Sequence, residues 1–172
     1  ELLRERGIAK AAKKSGRIAA EGLVSAYVSE DKKVGAIVEV NAETDFVAKN
    51  EKFINFVNTI ANAMLNAKSN NVEEGLTAPC AGATVADYIT SNTATIGEKI
   101  SFRRVQRIAK NDGQSFGFYK HMGGKIATVC VVEGEDAEVA RDMSMQVTAT
   151  KPLYLAKENV PAEYIEKETH IQ

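Results

Sequence analysis

The chain is short of the residues and spacings that most often announce chemistry. It has two histidines, His121 and His170, so no two-histidine zinc helix can be assembled. Its two cysteines, Cys80 and Cys130, form no metal-spacing cluster, and no pairing between them follows from sequence. Cys130 lies in an apolar, strand-like run and reads as a small buried thiol, which suits a soluble protein of the reducing cytoplasm. Gly123-Gly124-Lys125 looks like the end of a phosphate loop, but Tyr119 occupies the place of its first glycine and Ile126 that of its Ser or Thr. No apolar run approaches the roughly 18 residues of a spanning helix, and the mixed charges at Glu1 to Arg6 do not read as a signal peptide. Charge of one sign is also lacking. Against 23 acidic residues there are 22 Lys and Arg, a net charge of -1, which gives no bulk attraction to nucleic acid or an anionic membrane.

What is present is a globular composition. The 172 residues are 44% hydrophobic and 26% charged, enough for one domain or two small intimate ones around a proper core. Residues 2–14 read as a broken helical piece crowded with Lys and Arg, weakened by Gly7 and stopped at Ser15-Gly16. Residues 23–29 and 33–41 alternate as two strands of an antiparallel hairpin around Glu30-Asp31-Lys32, with Val34, Ala36, Val38 and Val40 on one face. Asn50 then caps the strongest helical pattern, residues 53–65, where Phe53, Val57, Ile60 and Met64 repeat at helical spacing. Residues 69–82 read as a loop, Thr84 as the cap of a short helix, and Gly97 as its interruption.

Three more strands are expected at residues 100–109, 114–121 and 125–132, with hairpin turns at Lys110-Asn111-Asp112-Gly113 and Met122-Gly123-Gly124. A helix over residues 135–149, its inner side lined by Val139, Met143 and Val147, ends before Pro152. Pro161 opens a last helix over residues 162–170. A repeat underlies this order. At a constant offset of 92 residues Lys33 falls on Lys125, Tyr27 on Tyr119 and Phe53 on Met145. The expected architecture is therefore α+β: two related subdomains, each an antiparallel hairpin-based sheet covered by helices.

Three features compete for function. Phe46 sits at the joint between the second strand and the strong helix, where a rigid framework can hold a side chain out for a partner. The competing reading makes it a staple packed on the first helical turn near Phe53. Arg103, Arg104, Arg107 and Lys110 form the best nucleic-acid signal, but strand alternation splits Arg104 from Arg103 and Arg107, and aromatics beyond Phe102 are lacking. Glu43 and Asp45 have no second catalytic group beside them and read as solvated or capping acids.

The run Glu39-Val40-Asn41-Ala42-Glu43-Thr44-Asp45-Phe46-Val47-Ala48-Lys49 closely resembles the signature of the elongation factor Ts family, the guanine nucleotide exchange factors of the translation GTPase elongation factor Tu (EF-Tu). Ala42 departs from it, since the family more often carries Cys or Ser there. Leu3-Arg4-Glu5-Arg6-Gly7 with residues 13–22 is similar to the family's early segment, and Thr95-Ile96-Gly97-Glu98 to its mid-core loop. Tyr119-Lys120-His121 before Gly123-Gly124 is similar to its second hairpin. The resemblance implies two related α+β subdomains. It also implies a cytoplasmic partner, EF-Tu in its GDP-bound and nucleotide-free forms, and a homodimer for the full-length form.

No cofactor, no metal, no direct nucleic-acid contact and no covalent chemistry are implied, so the chain is expected to act by binding and not as an enzyme. Thr44, Asp45 and Phe46 match the family's intruding tip, which wedges near the magnesium and phosphate side of the nucleotide pocket, and Ile96, Gly97 and His121 match further contact positions. Family members usually begin with a helical bundle and continue past the position of Gln172. Residues 1–20 are accordingly expected as a linker from an absent module, 21–98 as a first core subdomain and 99–172 as a second, truncated one.

Overall fold

A computed structural model describes residues 2–67 and 70–170. Glu1, Ser69 and the Ile171-Gln172 end, which belong to the expected linker, loop and second subdomain, lie outside the described residues, as do the side chains of Leu2, Leu3, Arg4 and Arg6. The elements in order are α1 (Leu2–Ala12), β1 (Glu21–Val28), β2 (Val34–Ala42), α2 (Asp45–Ala48), α3 (Glu51–Asn66), α4 (Val72–Leu76), β3 (Pro79–Cys80), β4 (Ala83–Thr84), α5 (Val85–Ile96), β5 (Ser101–Ala109), β6 (Gln114–His121), β7 (Ile126–Glu133), α6 (Ala137–Thr150) and α7 (Ala162–Thr169). Together they make an α+β fold of small antiparallel sheets packed against helices. No helix among the described residues is long and apolar enough to cross a membrane.

The first sheet has the order β1-β2-β5, with β2 in the middle. Alternation along β2 turns Ala36, Val38 and Val40 to one face, where each is no more than 1% exposed. Against that face lies α3, capped by Asn50, whose Oδ1 accepts the Lys52 backbone N–H at 2.9 Å. Phe53, Phe56, Val57, Ile60 and Met64 are all essentially buried. At about 1.5–3 kcal/mol for each large apolar side chain, this stripe is the main source of stability in the first unit. Tyr88 of α5 closes the core with its ring 5.0 Å from that of Phe56.

Two local expectations are corrected in this unit. Residues 69–82 are not a plain loop: Asn71 caps α4, its Oδ1 accepting the Glu73 N–H at 2.7 Å, and Pro79–Cys80 pairs with Ala83–Thr84. Nor does the turn at Lys110 to Gly113 close a hairpin, because β5 pairs antiparallel with β2 and not with β6. The physical reason is burial. Phe102 and Val105 of β5 reach the α3-covered core only from the free edge of β2, where both are 7% exposed. A strand lying beyond residue 98 thereby shares a sheet with β1 and β2.

The repeat is present as strand register. In the first hairpin Tyr27 faces Ala36 and Leu23 faces Val40; in the second Tyr119 faces Thr128 and Ser115 faces Val132, each pair displaced by the same offset. The helix over the second hairpin, however, buries a different face from the one its apolar residues suggest. Ala140, Ser144 and Thr148 point inward, while Val139 and Met143 are 51% and 46% exposed. Gly117 of β6 accounts for this. A Cβ there would lie 1.7 Å from the Ala140 carbonyl oxygen, so helix and hairpin approach too closely for large side chains. Ser144 returns its hydroxyl to the Ala140 carbonyl at 3.0 Å, and the Thr128 and Thr148 hydroxyls meet at 2.7 Å across the contact. With so thin a layer above it, β7 is half-buried along most of its length, Cys130 included, which corrects the buried reading of that thiol.

Candidate functional site

The joint after β2 is built by hydrogen bonds that fold the chain sharply. Thr44 is the N-cap of α2, its Oγ1 accepting the Val47 N–H at 3.4 Å. Successive residues of a helical turn are about 100° apart, so residues 46 and 48 face nearly opposite ways. Ala48 is fully buried and Val47 packs on the core, which turns Phe46 outward. Its ring is 85% exposed, the most exposed phenylalanine in the protein, while Phe53 is fully buried without it. The staple arrangement is therefore not formed.

Asp45, beside it, is held one turn along by Lys49, whose Nζ donates to Oδ2 at 2.7 Å. That hydrogen bond, reinforced by the lysine charge, keeps the Asp45 carboxyl below the usual carboxylate range and raises the Lys49 ammonium correspondingly.

The second candidate stretch meets this turn directly. At the end of α5, Gly97 adopts the left-handed conformation, φ 85°, that glycine tolerates best, and its N–H closes the helix on the Thr93 carbonyl. The chain then reverses past Glu98 and Lys99. The Glu98 carboxylate accepts the Thr44 hydroxyl at 2.7 Å and the Thr44 backbone N–H at 3.0 Å. In return, Glu43 accepts the Lys99 backbone N–H at 2.6 Å, the principal reason its carboxyl sits below the ordinary value, with Arg17 alongside at 3.3 Å. Thr44, Asp45, Phe46, Ile96 and Gly97 thus belong to one cluster, with Ile96 half-buried against the core and Gly97 exposed. The α1 end joins it too, since Lys14 Nζ donates to the Gly97 carbonyl at 2.6 Å.

His121 lies on the neighbouring corner, where β6 turns into β7, and is bonded to the Tyr119 hydroxyl through Nδ1 at 3.2 Å. The adjoining Met122, 70% exposed at a backbone φ of 50°, lines a cleft of about 510 Å³ with Asp45, Lys49, Ala48 and Leu23. The β6–β7 corner and the Phe46 turn therefore border one surface. Glu98, Lys99 and Met122 escaped the sequence reading as site residues. Met122 carried one signal, an apolar residue in an otherwise glycine-rich turn, and Glu98 another, as the last residue of the family-like stretch from Thr95.

The arginines are differently employed. Glu39 faces Arg104, but Val40 faces Phe102, so a β-bulge leaves Arg103 as an extra residue and alternation breaks there. Both guanidiniums converge on Glu39, Arg103 at 3.0 Å and Arg104 at 2.5 Å. Arg107 donates to the Leu65 carbonyl near the end of α3 at 3.0 Å.

A hairpin-and-helix duplication, one copy of which holds an exposed aromatic on a clamped turn, defines a class of α+β protein. The family model described as elongation factor TS matches residues 43–172. The Elongation factor Ts proteins of Streptococcus pneumoniae strain CGSP14 and of its serotype 19F strain G54 are each 49% identical over 169 residues, 98% of this chain. The chain belongs to the elongation factor Ts family. It spans about half the length of these curated relatives, 48% in each case.

Proposed function

We propose that this chain acts as the core of a guanine nucleotide exchange factor: it binds EF-Tu and promotes GDP release by inserting the Asp45-Phe46 tip near the magnesium and phosphate side of the nucleotide pocket. The observation that carries this reading is the 85% exposure of Phe46 on a turn whose backbone is hydrogen-bonded on both sides. A large apolar ring kept out of the core by a hydrogen-bonded turn is available to a partner.

The mechanism is differential binding with no covalent step. The factor binds the distorted, nucleotide-free GTPase better than the nucleotide-bound form, and because the coupling is reciprocal, excess nucleotide expels the factor. Burying a Phe contributes about 1.5–3 kcal/mol, comparable with the typical coupling of about 1–3 kcal/mol between two ligands. Asp45 brings negative charge toward the magnesium and phosphates, Ile96, Gly97 and His121 widen the contact, and Thr44 holds the tip in place. We place this partner in the cytoplasm and self-association in the full-length form, and we divide the chain into residues 1–20, 21–98 and 99–172, with β5 of the last segment completing the first sheet.

The test is release of a fluorescent GDP analogue from EF-Tu. The chain is expected to accelerate it, and Phe46→Ala to remove most of the acceleration while circular dichroism stays unchanged. Release at the spontaneous rate with both this chain and a longer form of the protein would sink the proposal.

A further inference from the structure

We infer that Glu98 is a positioning residue for the exchange tip, an inference that rests on the reading of Phe46 just given. Its carboxylate spends both oxygens on one residue, Oε1 on the Thr44 hydroxyl at 2.7 Å and Oε2 on the Thr44 backbone N–H at 3.0 Å. Thr44 is the residue whose hydroxyl, in turn, accepts the Val47 N–H and starts the turn carrying Phe46. One carboxylate therefore fixes the N-cap rotamer and the backbone on which the tip is built. The Thr44 hydroxyl has one proton, given to Glu98, and an acceptor lone pair, given to Val47, so the two bonds support each other.

The clamp is closed from the other side. Glu43 accepts the Lys99 N–H at 2.6 Å, so residues 43 and 44 each bond across to residues 99 and 98. Lys99 extends the same loop toward the N-terminal segment, its Nζ donating to the Ser15 and Arg17 carbonyls at 2.6 and 2.8 Å. Such a bracket matters for exchange because a loose tip pays its ordering entropy when it inserts, and a misplacement of about 1 Å costs up to a hundredfold in rate where alignment is needed. A carboxylate is suited to the task. Aspartate is one methylene too short to reach both donors, and glutamine offers an oxygen to only one of them.

The variants are Glu98→Ala and Glu98→Gln, with two readouts. Amide hydrogen exchange followed by NMR in the free chain is expected to speed up at Thr44 and Val47 in Glu98→Ala, with the amides of β2 and α3 unchanged. In the GDP-release assay the maximal rate is expected to fall about tenfold, with the half-saturating concentration within about twofold of wild type, and Glu98→Gln is expected to fall between. Thr44 and Val47 amides that exchange at the wild-type rate in Glu98→Ala overturn the inference. So does exchange that accelerates throughout β2 and α3, which would make Glu98 a general stabiliser. Should the wild-type chain fail to accelerate GDP release, the exchange reading falls alone, and amide exchange decides whether Glu98 holds the turn.

Discussion

Asp45 and Lys49 form an ion pair of 2.7 Å across one helical turn, on the same short helix that turns Phe46 to solvent. Both side chains are substantially exposed, 43% and 72%, so the pair orients charge at the tip more than it stabilises the fold. The sign of its pH dependence follows from the shifts. The Asp45 pKa is depressed, so its contribution is present above the ordinary Asp value and is lost as pH falls through the folded value below it. The Lys49 pKa is raised, so its contribution is complete below the ordinary Lys value and is lost as pH rises through the folded value above it. A carboxyl-carbon NMR titration is expected to place the Asp45 midpoint below that of an unpaired aspartate. In Lys49→Met it should return upward, and an unmoved midpoint would show that the pair does not persist in solution.

Phe46→Ala is expected to leave stability unchanged within about 0.5 kcal/mol, as exposed positions generally do. Ile60→Ala, fully buried in α3, should cost about 2–5 kcal/mol in the same urea titration. A Phe46 variant that destabilised as much as the Ile60 variant would mean the ring packs against the core in solution.

The contrast between these two residues also separates what was readable in the chain from what was not. The α3 stripe is periodic and its cap adjacent, so local spacing suffices to place it. The repeat was readable because matching β-branched and small residues recur at a fixed offset, and register follows from alternation. Glu98 was not readable as a support for Thr44, since a bond spanning residues 44 and 98 depends on how α5 returns to the sheet. The partner of β5 was lost for a similar reason. A polar turn of good hairpin composition stands at Lys110 to Gly113, but the competing edge of β2 offered a deeper core for Phe102 and Val105. The inner face of α6 was misread because its apolar residues keep helical spacing while Gly117, on another element, determines how close the helix lies.

Arg103 and Arg104 share the carboxylate of Glu39, which is only 11% exposed. Burial works to raise that carboxyl, and the hydrogen bond and charge of Arg104 outweigh it, leaving the pKa below the ordinary glutamate value. One carboxylate offsets half the charge of the two guanidiniums and ties both in place, so the strand offers a phosphate backbone less free positive charge than its arginines suggest. Binding of single-stranded RNA is expected to be weak and unaltered by Arg103→Ala with Arg104→Ala. A tight complex whose affinity falls steeply with salt and is lost in that double variant would instead make this strand a nucleic-acid surface.

Gly117→Ala tests the second unit at its narrowest point. The added methyl would meet the Ala140 carbonyl oxygen at 1.7 Å and its carbonyl carbon at 2.2 Å, and both are backbone atoms that no rotamer change can move aside. The Ser144 hydroxyl lies 2.6 Å from the same point and could rotate away, but that would not relieve the backbone clash. Helix α6 must therefore shift outward, stretching the Thr128–Thr148 contact and opening the layer over the β6–β7 hairpin. A loss of about 3 kcal/mol is expected from overpacking of this kind. Chemical denaturation checks the magnitude, and amide exchange locates it. Protection should fall first in β6, β7 and α6 while β1, β2 and α3 keep theirs, because the large buried side chains of the first unit make no use of Gly117. Uniform loss across both hairpins would instead mean that the two units unfold as one.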